Sequence, residues 1–415
     1  MAENTVSIIA IGDELLLGQI VDTNSAWLGQ ELALHGFEVN AKYTVADEIN
    51  DICEALTTAG RRSKYVIVSG GLGPTSDDMT IAAAERFFED TLVEHEPTKT
   101  AISSYFESRG RVMSSHHAKQ FYLPSNATVF ANEVGTAPGI KMYRNGTYYF
   151  FVPGVPVEMK YLYEKYILPS LNNGGVDNMI RYHLFTAGMG ETSLVELIAE
   201  DLSRLPPNIK MAYLPYHGGV RIRITGRDMD TPEKRDYLSR FKSTVIAKLG
   251  LHFVAENHNS WSTAMAAILK ERGFKLATAE SCTGGYIGHK MTSLSGSSEY
   301  FLGGIIAYDN EVKSALLNVK QETLDTHGAV SENCAREMLK GLCSAMPCDV
   351  GVVTTGIAGP TGGSKDKPVG TIFIGVGNEN RQIIEKFSFR SSRLGNIEST
   401  YSMAMYMVYK FLSNQ

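Results

Sequence analysis

The stretch KYVIVSGGLGPTSDDMT, residues 64 to 80, is where the fold becomes readable. A short run of apolar and β-branched residues ends abruptly in two glycines, and a helical pattern begins after Asp78. A continuous apolar run bounded by a glycine turn reads as a buried strand feeding a helix. Glycines in such a turn let the backbone approach a bulky anion, and the free N–H groups of the helix start favour phosphate. Asp77 and Asp78 stand close enough to hold a hard divalent cation against that phosphate. A plain turn with an aspartate cap leaves a similar trace.

The pattern repeats on both sides. VSIIAIG and YYFFVPG read as further strands, TNSAWLGQELALHG as an amphipathic helix closed by Gly36, and PGVPVEMKYLYEKYILPSL as a helix opened by prolines and stopped by Pro169. Strands alternating with helices over residues 1–172 predict a parallel sheet with helices on both faces. GDELLLGQIVDTN (12–24) places Asp13 and Glu14 at the end of the first strand, and PGVPVEM (153–159) brings Glu158 to the end of another. Ligands gather at the carboxyl ends of strands in open α/β sheets. NNGGVDN (172–178) reads as a linker.

Residues 180–256 read as a small α+β module: RYHLFTAG, a helix from Glu191 to Leu205, VRIRITGRD, and a helix from Thr231 to Leu249. Residues 259–415 return to the α/β pattern, with strands at FKLATA, GGIIAY, DVGVVTTG and GTIFIGVG. A chain of 415 residues with 39 glycines suits two or three α/β-type domains. The formal net charge of −6 gives no global reason to bind nucleic acid or an acidic membrane. No apolar run approaches the roughly 20 residues that span a bilayer, and the amino terminus lacks a basic signal-peptide region. The five cysteines, an odd number without a CxxC pair, read as reduced thiols in a cytoplasmic protein.

TAESCTGG, residues 278 to 285, offers two adjacent nucleophiles, Ser281 and Cys282. Ser281 falls at a strand-to-helix turn, where N–H groups of the helix start are expected to stabilise an oxyanion. Cys282 is expected to begin the helix and to point into packing. A serine there is also an ordinary helix cap. It needs a base, and both His289 and His327 fall too far along the chain. In GGIIAYDNEVKSALLNV, Asn310 reads as a helix cap and Lys313 as the third helical residue. The helix dipole and partial burial there would push a lysine toward neutrality, so that it can accept a proton. Ser–Lys pairs follow the logic of the hydrolytic triad. The loop TTGIAGPTGGSKDKPVG (354–370), with Lys365 and Lys367, suits a phosphate-bearing substrate.

GDELLLGQIVDTN, SGGLGPTSDDMT, GTAPG and PGVPVEM resemble the N-terminal, molybdopterin-binding-like domain of the CinA family (competence/damage-inducible protein A). TAESCTGG, AYDNEVK, HGAVSE and TGIAGPTGG resemble its C-terminal amidase domain, and the segment between looks like the family's KH-type module. The loop HGGV (217–220) lacks the GxxG clamp. Lys and Arg number eleven against nine Asp and Glu over 181–257, too few for a nucleic-acid footprint, although Arg221, Arg223 and Arg227 alternate along one strand.

The resemblance implies two activities. One is hydrolysis of nicotinamide mononucleotide to nicotinate mononucleotide and ammonia, with Ser281 as nucleophile, Lys313 as base and Tyr308 as a supporting hydroxyl. Thr283, Gly284, Gly285, Thr355, Gly356 and Arg393 then fall at the substrate, and no cofactor is needed. The other is hydrolysis of ADP-ribose to AMP and ribose 5-phosphate, with Glu14, Asp77 and Asp78 at a divalent cation such as Mg2+. Gly70, Gly71, Gly73, Thr75 and Asn24 fall at the phosphates. The expected partners are these nucleotides, with no nucleic acid and no membrane, and the chain is expected as a homodimer. The resemblance has one departure: many relatives carry Gly-Asp-Arg with a second arginine four positions on, whereas this chain has Ser391-Ser392-Arg393 and Ile397. A non-catalytic molybdopterin- or nucleotide-binding protein linked to competence is the alternative, and it would not require Ser281 with Lys313. Independent cores predict that a fragment from about residue 256 onward keeps the amidase.

Overall fold

The computed structural model describes residues 4–75, 77–172 and 179–413, so the expected linker lies, from 173 on, outside the described residues. The chain forms two compact units, 1–179 and 180–415.

The first unit holds β1 (Thr5–Ile11), β2 (Glu38–Val45), β3 (Tyr65–Ser69), β4 (Leu92–Glu94), β5 (Tyr122–Pro124), β6 (Thr128–Phe130), β7 (Gly139–Arg144) and β8 (Thr147–Val152). Its six-stranded sheet runs β2-β1-β3-β8-β7-β6, and β4 with β5 makes a separate ribbon. The first four strands are parallel, as expected, and β7 and β6 add an antiparallel edge. The strand period of two explains the two cores. Val66 and Val68 of β3 face Leu56 and Ala83, from helices Ile49–Arg62 and Thr80–Phe88. Ile67 faces the other way, toward Leu28, Leu32 and Met159 from helices Thr23–Leu34 and Pro156–Leu162. Pro169 does not stop its helix. The segment passes through a π-turn at Tyr163–Ile167 and continues as α-helix over Leu168–Asn172. A proline clashes with the carbonyl four residues back. Here that residue, Lys165, lies inside the widened turn.

The second unit begins with β9 (Ile180–Thr186), β10 (Ile209–Tyr216), β11 (Gly219–Gly226) and β12 (Phe253–Glu256), an antiparallel sheet in the order β10-β11-β9-β12. The helix expected from Glu191 to Leu205 is two short helices, Glu191–Leu197 and Ala199–Ser203, broken at the buried Ile198. In β11 Val220, Ile222 and Ile224 are buried while Arg221 and Arg223 occupy the opposite face. The chain then builds β13 (Leu276–Glu280), β14 (Phe301–Ile306), β15 (Val350–Gly356), β16 (Thr371–Gly377) and β17 (Gln382–Ser388). Their order is β14-β13-β15-β16-β17, with the first three strands parallel and the last two antiparallel. Helices Trp261–Arg272 and Arg393–Ser413 cover one face, and helices Asn310–Leu317 and Glu332–Ala345 the other. A Cβ on Gly341 would stand 1.9 Å from Leu317 O, so only glycine lets these last two helices approach so closely.

The middle module and the C-terminal domain share a core. Phe185, Ala187 and Val254 are buried together with Trp261, Met405 and Val408. The Phe185 ring stacks on Tyr216 at 5.2 Å and meets Trp261 edge-on at 5.1 Å. The Tyr409 hydroxyl donates to Phe253 O at 2.7 Å. A cut at residue 256 strips this contact, and removing one packed phenylalanine already costs on the order of 3–5 kcal/mol. The self-standing fragment is therefore expected to be 180–415. Thermal melts of 180–415 and 256–415 are predicted to show a cooperative transition for the first and a much lower or absent one for the second.

Candidate active sites

The carboxyl ends of β1, β3 and β8 open into a cleft of about 340 Å³ whose lining includes Glu14, Asp47, Asp77, Asp78 and Glu158. Gly70, Gly71 and Gly73 line it too. Gly70 has φ +117°, and a Cβ there would stand 2.3 Å from Ile11 O, so the turn must be glycine to pass beside β1. The Thr80 hydroxyl donates to Gly70 O at 2.8 Å and ties the loop to the following helix. Thr75 serves the loop: its N–H donates to Asp78 Oδ2 at 2.8 Å and its hydroxyl donates to the same oxygen. Asn24 bridges two loops, with Nδ2 donating to Ser69 Oγ at 3.1 Å and to Gly154 O at 2.7 Å.

Asp47, which follows β2, is the acid that the sequence reading missed. Its Oδ2 accepts from Asp13 N–H at 3.1 Å. Burial holds its carboxyl above the usual carboxylate range, and the charges of Asp13, Glu14 and Asp78 add to this against that hydrogen bond. Burial likewise raises Glu158, against hydrogen bonds from Asn132 and Ala137. Among the described residues no three His, Cys, Asp or Glu side chains are gathered into a ready-made metal site. The four carboxylates of Glu14, Asp47, Asp77 and Asp78 around one cleft nonetheless fit a hard cation that keeps its waters and arrives with substrate phosphates.

A second cavity, of about 330 Å³, lies at the carboxyl ends of β13, β14 and β15. Ser281, Cys282, Tyr308, Asn310, Lys313, Thr355, Gly356, Thr361 and Arg393 are among its lining residues. Ser281 leaves β13 with its N–H donated to Thr354 O at 3.0 Å, which fixes the turn against β15. The turn continues through Gly284 and Gly285, at φ +60° and +93°, so the helix starts only at Tyr286. Cys282 therefore sits in the turn, not in the helix. It is buried, and burial pushes its thiol up to about 12. Thr283 supports the turn through a 2.7 Å hydrogen bond between its hydroxyl and that of Thr354. Thr283, Gly284 and Gly285 shape the wall rather than line the cavity.

The amides of the helix start are not open to an oxyanion, contrary to expectation. Those of Gly285, Ile287 and Gly288 donate to the buried Glu280 carboxylate at 3.1, 3.0 and 2.8 Å. The helix carrying Lys313 is capped by Asp309, which accepts from Glu311 N–H at 2.8 Å, rather than by Asn310. Lys313 is thus the fourth helical residue. It is only 1% exposed, and its Nζ donates to Tyr308 O at 3.0 Å. Burial is the main influence that holds its ammonium below the ordinary 10.5, against the pull of Cys334, Asp309 and Cys282.

Arg393 donates to Gly359 O at 2.7 Å and to the Tyr308 hydroxyl at 3.0 Å, joining the glycine loop to the tyrosine. Ile397 packs against the hydrophobic core, which suits an aliphatic side chain at that position. The Thr355 hydroxyl donates to Ala329 O at 2.7 Å, bringing HGAV to the cavity. Lys365 and Lys367 are not among the lining residues, and Lys367 Nζ donates instead to His327 O at 2.7 Å. Asn310 and Thr361 escaped the sequence reading as site residues because an exposed polar residue after a strand carries no distinctive pattern. No helix among the described residues is long and apolar enough to cross a membrane.

Three family profiles match in order: "Probable molybdopterin binding domain" over residues 7–173, "Damage-inducible protein CinA KH domain" over 182–255, and "CinA C-terminal domain" over 258–412. A CinA-like protein of Cytophaga hutchinsonii is 37% identical over 394 residues, covering 95% of this chain and 94% of the relative. A CinA-like protein of Kosmotoga olearia is 38% identical and covers 93% of each. The crystal structure of CinA from Thermoplasma acidophilum, described as of unknown function, matches 40% of this chain and 98% of its own at 32% identity, with a TM-score of 0.38. With relatives of this similarity along nearly its whole length, the chain belongs to the CinA family.

Proposed function

We propose that the cavity of the second unit is a serine–lysine amidase for nicotinamide mononucleotide, and that the cleft of the first unit hydrolyses ADP-ribose to AMP and ribose 5-phosphate. One observation carries the amidase reading. A buried lysine, held by a carbonyl and kept below its ordinary pKa by burial, shares a 330 Å³ cavity with a serine at the end of a central strand. A binding module has no need of a buried lysine with a lowered pKa there.

In the proposed reaction Ser281 Oγ attacks the carboxamide carbon while its proton passes to neutral Lys313 Nζ. The tetrahedral oxyanion collapses, the C–N bond breaks, and Lys313 returns the proton to the departing ammonia. Water then attacks the acyl-serine and passes a proton to Lys313; the acyl C–Oγ bond breaks, Lys313 returns that proton to Ser281 Oγ, and the acid leaves as a carboxylate with its own proton taken up by ammonia. Arg393 and the Gly356–Gly362 loop receive the 5′-phosphate end. In the first unit a divalent cation would neutralise charge as the pyrophosphate is cleaved. Glu14, Asp47, Asp77 and Asp78 would hold it, while the Gly70–Gly73 turn cradles the phosphates through its backbone.

The base role fixes the sign of the pH dependence. Lys313 must be neutral, so kcat/KM for ammonia release should rise as pH rises through its lowered pKa and fall below it. Lys313→Arg, which stays charged, should be inactive across the profile. A flat profile in the parent protein would remove Lys313 as base. The stability contribution of Lys313 runs in the same direction as the activity, improving as pH rises. Below 10.5 the unfolded chain binds a proton that the folded site resists, so Lys313 costs stability there. Lys313→Met is expected to melt higher, by about 2–4 °C per kcal/mol relieved, while losing activity.

A further inference from the structure

We infer that Glu280 is a positioning residue of the second cavity, and that it leaves the backbone N–H of Cys282 as the amide that receives the oxyanion. The inference rests on the amidase reading of that cavity.

Glu280 is the last residue of β13 and is 1% exposed. A buried carboxylate is costly unless its oxygens are bonded. This one accepts three N–H groups, from Gly285, Ile287 and Gly288, at the positive end of a helix. The side chain therefore reaches forward over the turn and clamps the helix start to the strand that carries Ser281. Five residues, 281 to 285, are held between these two anchors.

The clamp also decides which amides remain for chemistry. Ser281 N–H is committed to Thr354 O at 3.0 Å, Gly284 N–H to Ser281 O at 3.1 Å, and Tyr286 N–H to Thr283 O at 3.1 Å. With three more taken by Glu280, only the Cys282 and Thr283 amides between residues 281 and 288 find no acceptor on another described residue, that of Cys282 meeting only its own thiol. Of these two residues Cys282 lines the cavity and Thr283 does not. In hydrolases with a nucleophile on a strand-to-helix turn, the N–H of the next residue is a general oxyanion donor. Cys282 fits that role: it is buried in the hydrophobic core cluster and also lines the cavity, and on this inference its backbone forms the wall.

The assignment is tested on the full-length protein with a fluorophosphonate, which reports on Ser281 without needing the amide substrate. Ser281 Oγ forms a bond to phosphorus, the P–F bond breaks, fluoride leaves, and the hydroxyl proton passes to Lys313. Residue-resolved hydrogen exchange should show Gly285, Ile287 and Gly288 amides protected before labelling. The Cys282 amide should exchange freely before labelling and become protected once the adduct's oxygen occupies the site. A labelled Ser281 with unchanged Cys282 exchange would overturn the assignment and leave the amidase reading standing. An unlabelled Ser281 would remove both. Glu280→Gln, which keeps the shape but only one accepting oxygen, should lower kcat about 10- to 100-fold with KM within a few-fold, since one oxyanion donor is worth about 10²–10³. A folded Glu280→Gln enzyme with parental kcat would also overturn it. Should that variant fail to fold, the exchange measurement on the unmodified protein still decides.

Discussion

Ser281→Ala and Lys313→Ala are each expected to lower ammonia release from nicotinamide mononucleotide by about 10³-fold or more, while Cys282→Ala stays within a few-fold of the parent. The asymmetry follows from the environment of the two nucleophiles. Cys282 is buried in the turn with its thiol pushed up to about 12, so almost none is thiolate near neutral pH. Ser281 lines the same cavity as Lys313, whose lowered pKa suits it to take a hydroxyl proton. Because nucleophile and base act in one step, the double variant should be little worse than either single one. Steady-state ammonia release from the four variants checks this. An active Ser281→Ala protein that is silenced by thiol alkylation would transfer the role to Cys282.

Excess EDTA is expected to abolish AMP release from ADP-ribose and to leave ammonia release untouched. The first cleft gathers carboxylates around a glycine turn, and two of its acids, Asp47 and Glu158, are held above the usual carboxylate range chiefly by burial. A dianionic pyrophosphate entering such a cleft meets like charge, so hydrolysis needs a cation to neutralise it. Asp47→Asn should then raise the cation concentration required for half-maximal rate. Full AMP release in chelator would remove the metal from the proposal, and an Asp47→Asn protein with unchanged cation dependence would remove Asp47 from the cation's ligands.

The strands that carry both sites were legible because they are central. β1, β3, β8, β13 and β15 are buried along almost their whole length and read as largely apolar runs, interrupted only by Ser, Thr or Gly, that lead into glycine, proline or acid. Most edge strands were not, β14 (GGIIAY) being the exception. β2 and β17 alternate half-buried with exposed residues and include Lys42, Lys386 and Glu385, so no apolar run marks them. Missing β2 meant missing Asp47, two residues past its end. β10 contains Pro215, which argues against an interior strand, but it lies at a sheet edge where a missing N–H is tolerated. Glu280 was readable as a letter of TAESCTGG but not as a clamp, since its three partners are backbone amides up to eight residues on. The shared core of Phe185 with Trp261 was equally hidden, because a periodic pattern shows that a face is buried and not what covers it.

If the second cavity breaks an amide bond by hydrolysis, the new carboxylate must take one oxygen from water. Full-length protein is incubated with nicotinamide mononucleotide in 18O-water containing EDTA, and the products are weighed by mass spectrometry alongside an ammonia assay. The account predicts nicotinate mononucleotide carrying one solvent oxygen in its new carboxylate, with ammonia released in equal amount. Free nicotinamide, which would mean that the glycosidic bond had been cut, or unchanged substrate would contradict it.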